Sequence, residues 1–217
     1  MKNINILIAC EESQTICKAF RDLGFNAYSC DIKRCSGGLP EYHILGDCFE
    51  AMDSRHWDLI IAHPPCTFLA LSGNRWMHDK VRFPNREQDR KEAIDFFMRF
   101  VNYEKCSHMA IENPLGVMST VYRKPDQIIN PFQFGDPFRK PTCLWLKGLP
   151  LLQPTEIVSQ GEFVITKSGK KMPKWYSDAF GLPKEERATL RSKTFPGIAK
   201  AIAEQWGGYL LNEKEDK

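Results

Sequence analysis

The sequence predicts an α/β fold, a mostly parallel sheet with helices on both faces. Three observations carry that expectation. Short apolar runs end abruptly in polar residues, helical periodicity fills the gaps between them, and the runs are continuously apolar, as buried parallel strands are. Strands alternating with helices imply right-handed crossovers in one sheet.

The elements follow in order. Residues 4–9 form the first apolar run, ending at Cys10-Glu11-Glu12-Ser13. Met1 to Ile8 turns polar again within a few residues, so it reads as a strand and not as a signal peptide. Ser13 is placed to cap a helix with Ile16, Ala19, Phe20 and Leu23 at helical spacing, stopped by Gly24. Residues 27–30 end at Asp31, residues 42–45 at Gly46-Asp47, and residues 58–62 at His63-Pro64-Pro65. Residues 87–103 predict an amphipathic helix with Ala93, Ile94, Phe97 and Val101 on one stripe, and residues 109–112 a strand closed by Asn113-Pro114. Past residue 149 the texture changes. Residues 150–187 are rich in Pro, Gly and Lys, and residues 162–165 and 172–176 face each other across Lys167-Ser168-Gly169-Lys170 as a hairpin. A last helix is expected over 198–206, then a frayed charged tail from Asn212. The expected organisation is a core over 1–149, a small insertion over 150–187, a helix over 188–211 returning to the core, and a tail over 212–217.

Composition narrows the function classes. A chain of 217 residues with 42% hydrophobic and 12% aromatic residues can bury a substantial core, which excludes wholesale disorder. No apolar run reaches the ~18 residues of a membrane span, so no membrane partner is expected. A net charge of +3 permits a nucleic-acid partner without arguing for one. The eight cysteines contain no C-x-x-C pair and no cysteine–histidine cluster with zinc spacing. No metal is expected, and scattered cysteines fit a reducing cytoplasm.

In doubly wound sheets, ligands sit beyond the carboxyl ends of the strands. The unusual residues of the first half all fall there. Asp31 stands about 20 residues after the first loop, the offset of an acid that meets a nucleotide ribose, with a loop aspartate bonding its own backbone as the lesser alternative. Cys66 follows two prolines out of a central strand. It reads either as a core cysteine beneath a stiff turn or as a nucleophile at the sheet edge.

The stretch Pro65-Cys66-Thr67-Phe68-Leu69-Ala70-Leu71-Ser72-Gly73 resembles the Pro-Cys-Gln-x-Phe-Ser-x-x-Gly catalytic motif of cytosine-5 DNA methyltransferases, and Ile111-Glu112-Asn113-Pro114 resembles that family's Glu-Asn-Val motif. The likeness covers roughly residues 4–116, with fainter echoes at 139–146 and 192–207, and is closest to the compact members that phages and prophages carry. It implies the class I S-adenosylmethionine-dependent methyltransferase fold, S-adenosylmethionine as cofactor, cytosine-containing DNA as partner, and the cytoplasm of a bacterial or phage-infected cell.

The resemblance also implies roles. Cys66 would add to carbon 6 of a flipped-out cytosine, making carbon 5 enamine-like. Glu112 would assist at the neighbouring ring nitrogen by a hydrogen bond or a proton, and for it to be neutral the strand-end site would have to raise its pKa. Asn113 would fix the loop, and Arg139 would help hold the base. Cofactor contacts would come from Cys10, Glu11, Glu12, Ser13, Asp31, Ile32, Asp47, Cys48, His63 and Pro64, with Ser192 and Thr194 beside them. Arg75, Lys80, Arg82 and Arg86 after the nucleophile, and Lys170, Lys171 and Lys174 near Trp175 and Tyr176, are the nucleic-acid candidates, although solvated charged faces look the same.

The sequence departs from the family's pattern. The first loop lacks both glycines of Phe-x-Gly-x-Gly, Thr67 replaces Gln, Pro114 replaces Val, and the large target-recognition domain is reduced to a short segment. Short or loose sequence specificity is therefore expected. A free cytosine nucleotide or an exocyclic amino group as acceptor, or a non-catalytic nucleic-acid-binding relative, stands as the alternative.

Overall fold

The computed structural model describes residues 2–215, except the side chains of Lys2, Arg75 and Lys184. Its centre is a seven-stranded sheet in the order β3-β2-β1-β4-β5-β7-β6. The strands are β1 (Lys2–Ala9), β2 (Phe25–Asp31), β3 (His43–Leu45), β4 (Leu59–Ala62), β5 (Met109–Pro114), β6 (Gln127–Ile129) and β7 (Thr142–Lys147). The first five pair in parallel. Strand β7 runs antiparallel between β5 and β6. Chain order thus reverses beside β1, which puts the crevice between the carboxyl ends of β1 and β4.

Strand alternation splits the interior in two. Ile6, Ile8, Leu59 and Ile61 point to the face covered by α1 (Thr15–Asp22) and α7 (Pro196–Glu215). Leu7, Ala9, Ile60 and Ala62 point to the face covered by α2 (Cys48–Asp53) and α3 (Arg86–Val101). Trp206 of α7 is fully buried and donates its indole N–H to the Pro150 carbonyl at 2.9 Å. The next residue, Gly207, lies so close to Phe25 that a Cβ there would meet the ring at 2.6 Å. Replacing Trp206 with alanine is expected to cost about 3–5 kcal/mol, from lost burial, a cavity and an orphaned carbonyl. Equilibrium denaturation measures that loss.

Several boundaries differ from expectation for identifiable reasons. Ser13 does not cap α1. Gln14 occupies the cap position with φ 57°, and the Glu11 carboxylate reaches forward to accept the N–H of Ile16 at 2.7 Å and of Cys17 at 3.2 Å. Helix α2 was not expected: Asp47, read as punctuation, is its cap and accepts from the N–H of Phe49 at 2.7 Å. The tail does not fray at Asn212. Helix α7 continues to Glu215, tied by Lys214 to the Asn3 carbonyl at 2.7 Å and to Asp58 at 2.9 Å.

Beyond β7 the expected hairpin forms between β8 (Phe163–Ile165) and β9 (Lys171–Pro173). The chain then turns helical in α5 (Lys174–Asp178) and α6 (Lys184–Ser192). Short α4 (Met118–Val121) follows β5. No described helix is long and apolar enough to cross a membrane.

Candidate active site

Register explains how the strand-end residues meet. Ala62 of β4 pairs with Ile111 of β5, so the next positions, His63 and Glu112, come side by side on the same face. Nδ1 of His63 lies 3.0 Å from Oε2 of Glu112. Asn113, two per cent exposed, points to the opposite face and donates to the Pro64 carbonyl at 2.7 Å, which holds the proline turn.

Cys66 then begins a turn in which its carbonyl accepts the N–H of Ala70 at 2.9 Å. The segments leaving β4 and β5 remain laced together. Val117 donates to the Leu69 carbonyl at 2.9 Å and Leu71 to the Leu115 carbonyl at 3.0 Å, around a bridge between Ala70 and Gly116. Cys66, in the turn beyond β4, and Glu112, on adjacent β5, therefore belong to segments whose exits are clamped to each other.

The electrostatics tie four groups together. Burial pushes the Cys66 thiol above its usual range, and the Glu112 charge adds to that, while Lys140 and Arg191 pull it back. Burial would raise the Glu112 carboxyl too, but the His63 hydrogen bond and charge, with Lys140, hold it below its usual range. The raised pKa that a neutral Glu112 would need is thus not what the free site provides, since its hydrogen-bond partner holds the carboxyl down. Burial lowers Lys140 below the ordinary amine range. Its Nζ reaches the Lys193 carbonyl at 3.0 Å, and the same cleft is lined by His63, Glu112, Thr142, Thr194 and Phe195.

The lysine of this cleft that acts on both Cys66 and Glu112 is thus Lys140. Arg139 is exposed, and its carbonyl accepts from the Trp175 indole. Neighbouring residues of extended chain point to opposite sides, so a shift of one position separates a solvent-facing group from a site-facing one. Ser192 and Thr194 line this cleft on the Glu112 side.

The other expected cofactor residues gather at the ends of β1, β2 and β3. Cys10 adopts φ 60° and places its Sγ 3.9 Å from that of Cys48. A non-glycine residue in that left-handed conformation costs roughly 1–2 kcal/mol, so the loop takes up a glycine-like turn without the family's glycines. Ser13 bonds Thr15 at 3.1 Å, and the Glu12 carbonyl accepts the N–H of Ser36 at 2.9 Å. One Asp31 oxygen accepts the N–H of Lys33 at 2.9 Å, the local bond that the sequence left open, and Ile32 beside it is 79% exposed. Two candidates carry other duties: Glu11 is used in capping α1, and His63 faces Glu112.

The nucleic-acid candidates divide. Arg86 is corrected: it is eight per cent exposed, with its guanidinium donating to the Gly73 carbonyl at 3.2 Å between the rings of Phe68 and Phe83. With Arg90, which donates to the Phe68 carbonyl at 2.9 Å, it braces the loop after Cys66 from within. Lys80 pairs with Glu87 at 3.4 Å, and Arg82 stacks near Trp76 and Phe83 on the loop's outer side. The Arg75 side chain lies outside the described residues. Lys174 pairs with Asp178 at 2.7 Å, Lys171 lies over the Phe163 ring, and Lys170 is exposed.

Comparison with known proteins follows from this geometry. No family model and no curated protein sequence matches the chain. Among solved structures, the Entamoeba histolytica methyltransferase EhMeth is similar over 73% of this chain and 58% of its own, with TM-score 0.50 and 15% identity. The fold is that of a class I methyltransferase. A DNA modification methyltransferase encoded within a prophage of E. coli aligns over 84% of this chain and 56% of its own, with TM-score 0.49 and 16% identity. A Spodoptera frugiperda DNMT2 variant aligns over 72% of this chain and 55% of its own, with TM-score 0.44 and 13% identity. This methyltransferase fold therefore spans somewhat more than half the length of each.

Proposed function

We propose that this chain methylates carbon 5 of cytosine in DNA through a covalent adduct with Cys66. One observation carries the reading: a cysteine in the turn beyond β4 and a glutamate on adjacent β5, in segments clamped together and within electrostatic reach of each other and of Lys140.

Cytosine carbon 5 is a poor nucleophile until the 5,6 double bond is broken. The Cys66 thiolate adds at carbon 6, and the displaced electron pair passes towards the ring nitrogen, which takes a hydrogen bond or proton from Glu112. Lys140 and Arg191 supply the positive field that favours the thiolate, and Lys140 stands where the ring's carbonyl oxygen can be met. A soft thiolate both attacks and leaves, which a serine alkoxide would not do. Such chemistry on a duplex needs the base flipped out of the stack. The exposed Lys80 and Arg82 on the loop after the nucleophile, and Lys170 on the hairpin, suit phosphate contacts.

S-adenosylmethionine supplies an electrophilic methyl group when bound. The strand-end residues fit it on two counts: the chain turns sharply at Cys10, at the carboxyl end of β1 where the crevice opens, and Asp31 with exposed Ile32 offers a carboxylate and an apolar surface for ribose and adenine. The short segment between β7 and α7 offers little surface for reading sequence, so specificity is short or loose.

The test is incubation of purified protein with labelled S-adenosylmethionine and duplex DNA, single-stranded DNA or deoxycytidine nucleotides, followed by digestion to nucleosides. Label in 5-methylcytosine from duplex DNA is expected. Label in an exocyclic amino product, or none at all, overturns the reading.

A further inference from the structure

The site contains a pair that the cytosine chemistry does not by itself require. His63 stands in the turn after β4, where its backbone N–H donates to the Ala9 carbonyl at 2.9 Å, and its ring is fixed against Glu112 at 3.0 Å. The side chain is 14% exposed, and its other ring nitrogen, Nε2, is buried without a hydrogen-bond partner among the described residues. Among the described residues the ring's one hydrogen-bond partner is the Glu112 carboxylate.

We propose that His63 is the proton source of the site: Nδ1 holds the Glu112 carboxylate and hands it the proton that the cytosine ring nitrogen takes when Cys66 adds. This rests on the cytosine reading above. The groups that face His63 are Glu112 from β5, Glu11 from the loop after β1, and Lys140 from the segment before β7. Burial and Lys140 disfavour a charged imidazole, but the Glu112 hydrogen bond and the charges of the two carboxylates outweigh them, so His63 is protonated above its ordinary range. Glu112 is correspondingly ionised, and an ionised carboxylate has no proton to donate. The pair as a whole holds the one proton needed.

The step balances. The sulfur–carbon 6 bond forms from the thiolate electron pair, and the carbon 5–carbon 6 π pair moves to carbon 4. His63 passes its proton to the Glu112 carboxylate as the Nδ1–H bond breaks, and the former carbon 4–nitrogen π pair takes that same proton from Glu112, which leaves His63 neutral and Glu112 a carboxylate again. When the adduct collapses, the proton returns along the same path. A second benefit follows from charge. The Glu112 carboxylate opposes a thiolate at Cys66, so protonating Glu112 removes that opposition while the thiolate attacks. His63 acts through Glu112 and is a positioning and proton-supplying residue.

The experiment combines two measurements on the full chain. Imidazole nitrogen NMR of wild-type protein should show His63 protonated through pH 7, and Glu112→Gln should return its titration to a more acidic pH. His63→Asn keeps an N–H donor at the Nδ1 position but cannot release a proton. It is expected to lower kcat roughly 100-fold with KM nearly unchanged, and to move the alkaline fall of the pH profile to lower pH. In a Glu112→Gln background the same change should add no further loss. A neutral His63 at pH 7 in a wild type that methylates cytosine overturns the proton source alone, as does an unchanged pH profile in His63→Asn. A wild type that transfers no methyl group to cytosine overturns the cytosine reading and this role with it, whatever the NMR titration shows of the pairing.

Discussion

Replacing Cys66 with serine is expected to lower methyl transfer about a thousand-fold or more, because a hydroxyl ionises far less readily than a thiol and leaves carbon 6 far less easily. The fold should tolerate the change. Cys66 lies in a half-buried turn beyond β4, outside both clusters of core residues, so a melting curve should move little. The pH dependence has a definite sign. Burial and the Glu112 charge hold the thiol above its usual range, so the thiolate fraction grows as pH rises through neutrality. Removing the positive charge of Lys140 should raise the thiol further and slow the reaction most at the acidic end. A Cys66→Ser protein that retains wild-type rates would exclude the thiol as nucleophile.

Gly116→Ala is expected to have the next largest effect, and on geometry rather than chemistry. A Cβ at this position would lie 2.2 Å from the Leu69 carbonyl oxygen, 2.9 Å from its carbon and 3.2 Å from the Ala70 Cα. All three are main-chain atoms, so no side chain can swing away. The strain must spread the bridge that clamps the segment after Cys66 to the segment after Glu112. About 1–3 kcal/mol of stability should be lost. A displacement of ~1 Å between the reacting groups costs roughly 100-fold in rate, so kcat should fall well beyond what unfolding explains. Thermal melts and turnover of the same sample separate the two contributions. Full activity in a destabilised variant would show that the clamp does not position the site.

Much of this architecture was legible because its punctuation is chemical. Two prolines after residue 62 and one after Asn113 must stop strands, and polar clusters after apolar runs mark carboxyl ends. What the sequence withheld depends on register and parity. His63 was grouped with the cofactor residues because nothing in one chain states that Ala62 will pair with Ile111 and so set His63 against Glu112. Lys140 was passed over for Arg139 because one position of extended chain reverses the side to which a group points. Arg86 read as a solvated cation, yet it is buried where Phe68, Phe83 and two carbonyls surround it. Long cationic side chains bury well when their donors meet carbonyls, and charge patterning alone does not reveal that. Elements α2 and β6 escaped because six and three residues are too few for periodicity to register.

Glu11 shows how competing uses of a residue are decided by local need. The resemblance makes Glu11 a cofactor contact. Helix α1 begins after a left-handed Gln14 that offers no side-chain cap, so its first amide groups lack an acceptor, and the buried Glu11 carboxylate supplies one. Burial raises the Glu11 carboxyl, opposed by His63 and by these two amide bonds.

The account turns on one covalent bond. DNA carrying 5-fluorocytosine, incubated with S-adenosylmethionine and the protein, leaves no carbon 5 proton to lose, so the adduct cannot resolve. Intact-mass measurement followed by peptide mapping should find the DNA joined to Cys66, and Cys66→Ser should give no adduct. Absence of any adduct in a protein that methylates cytosine, or a crosslink mapped to another residue, would contradict the account.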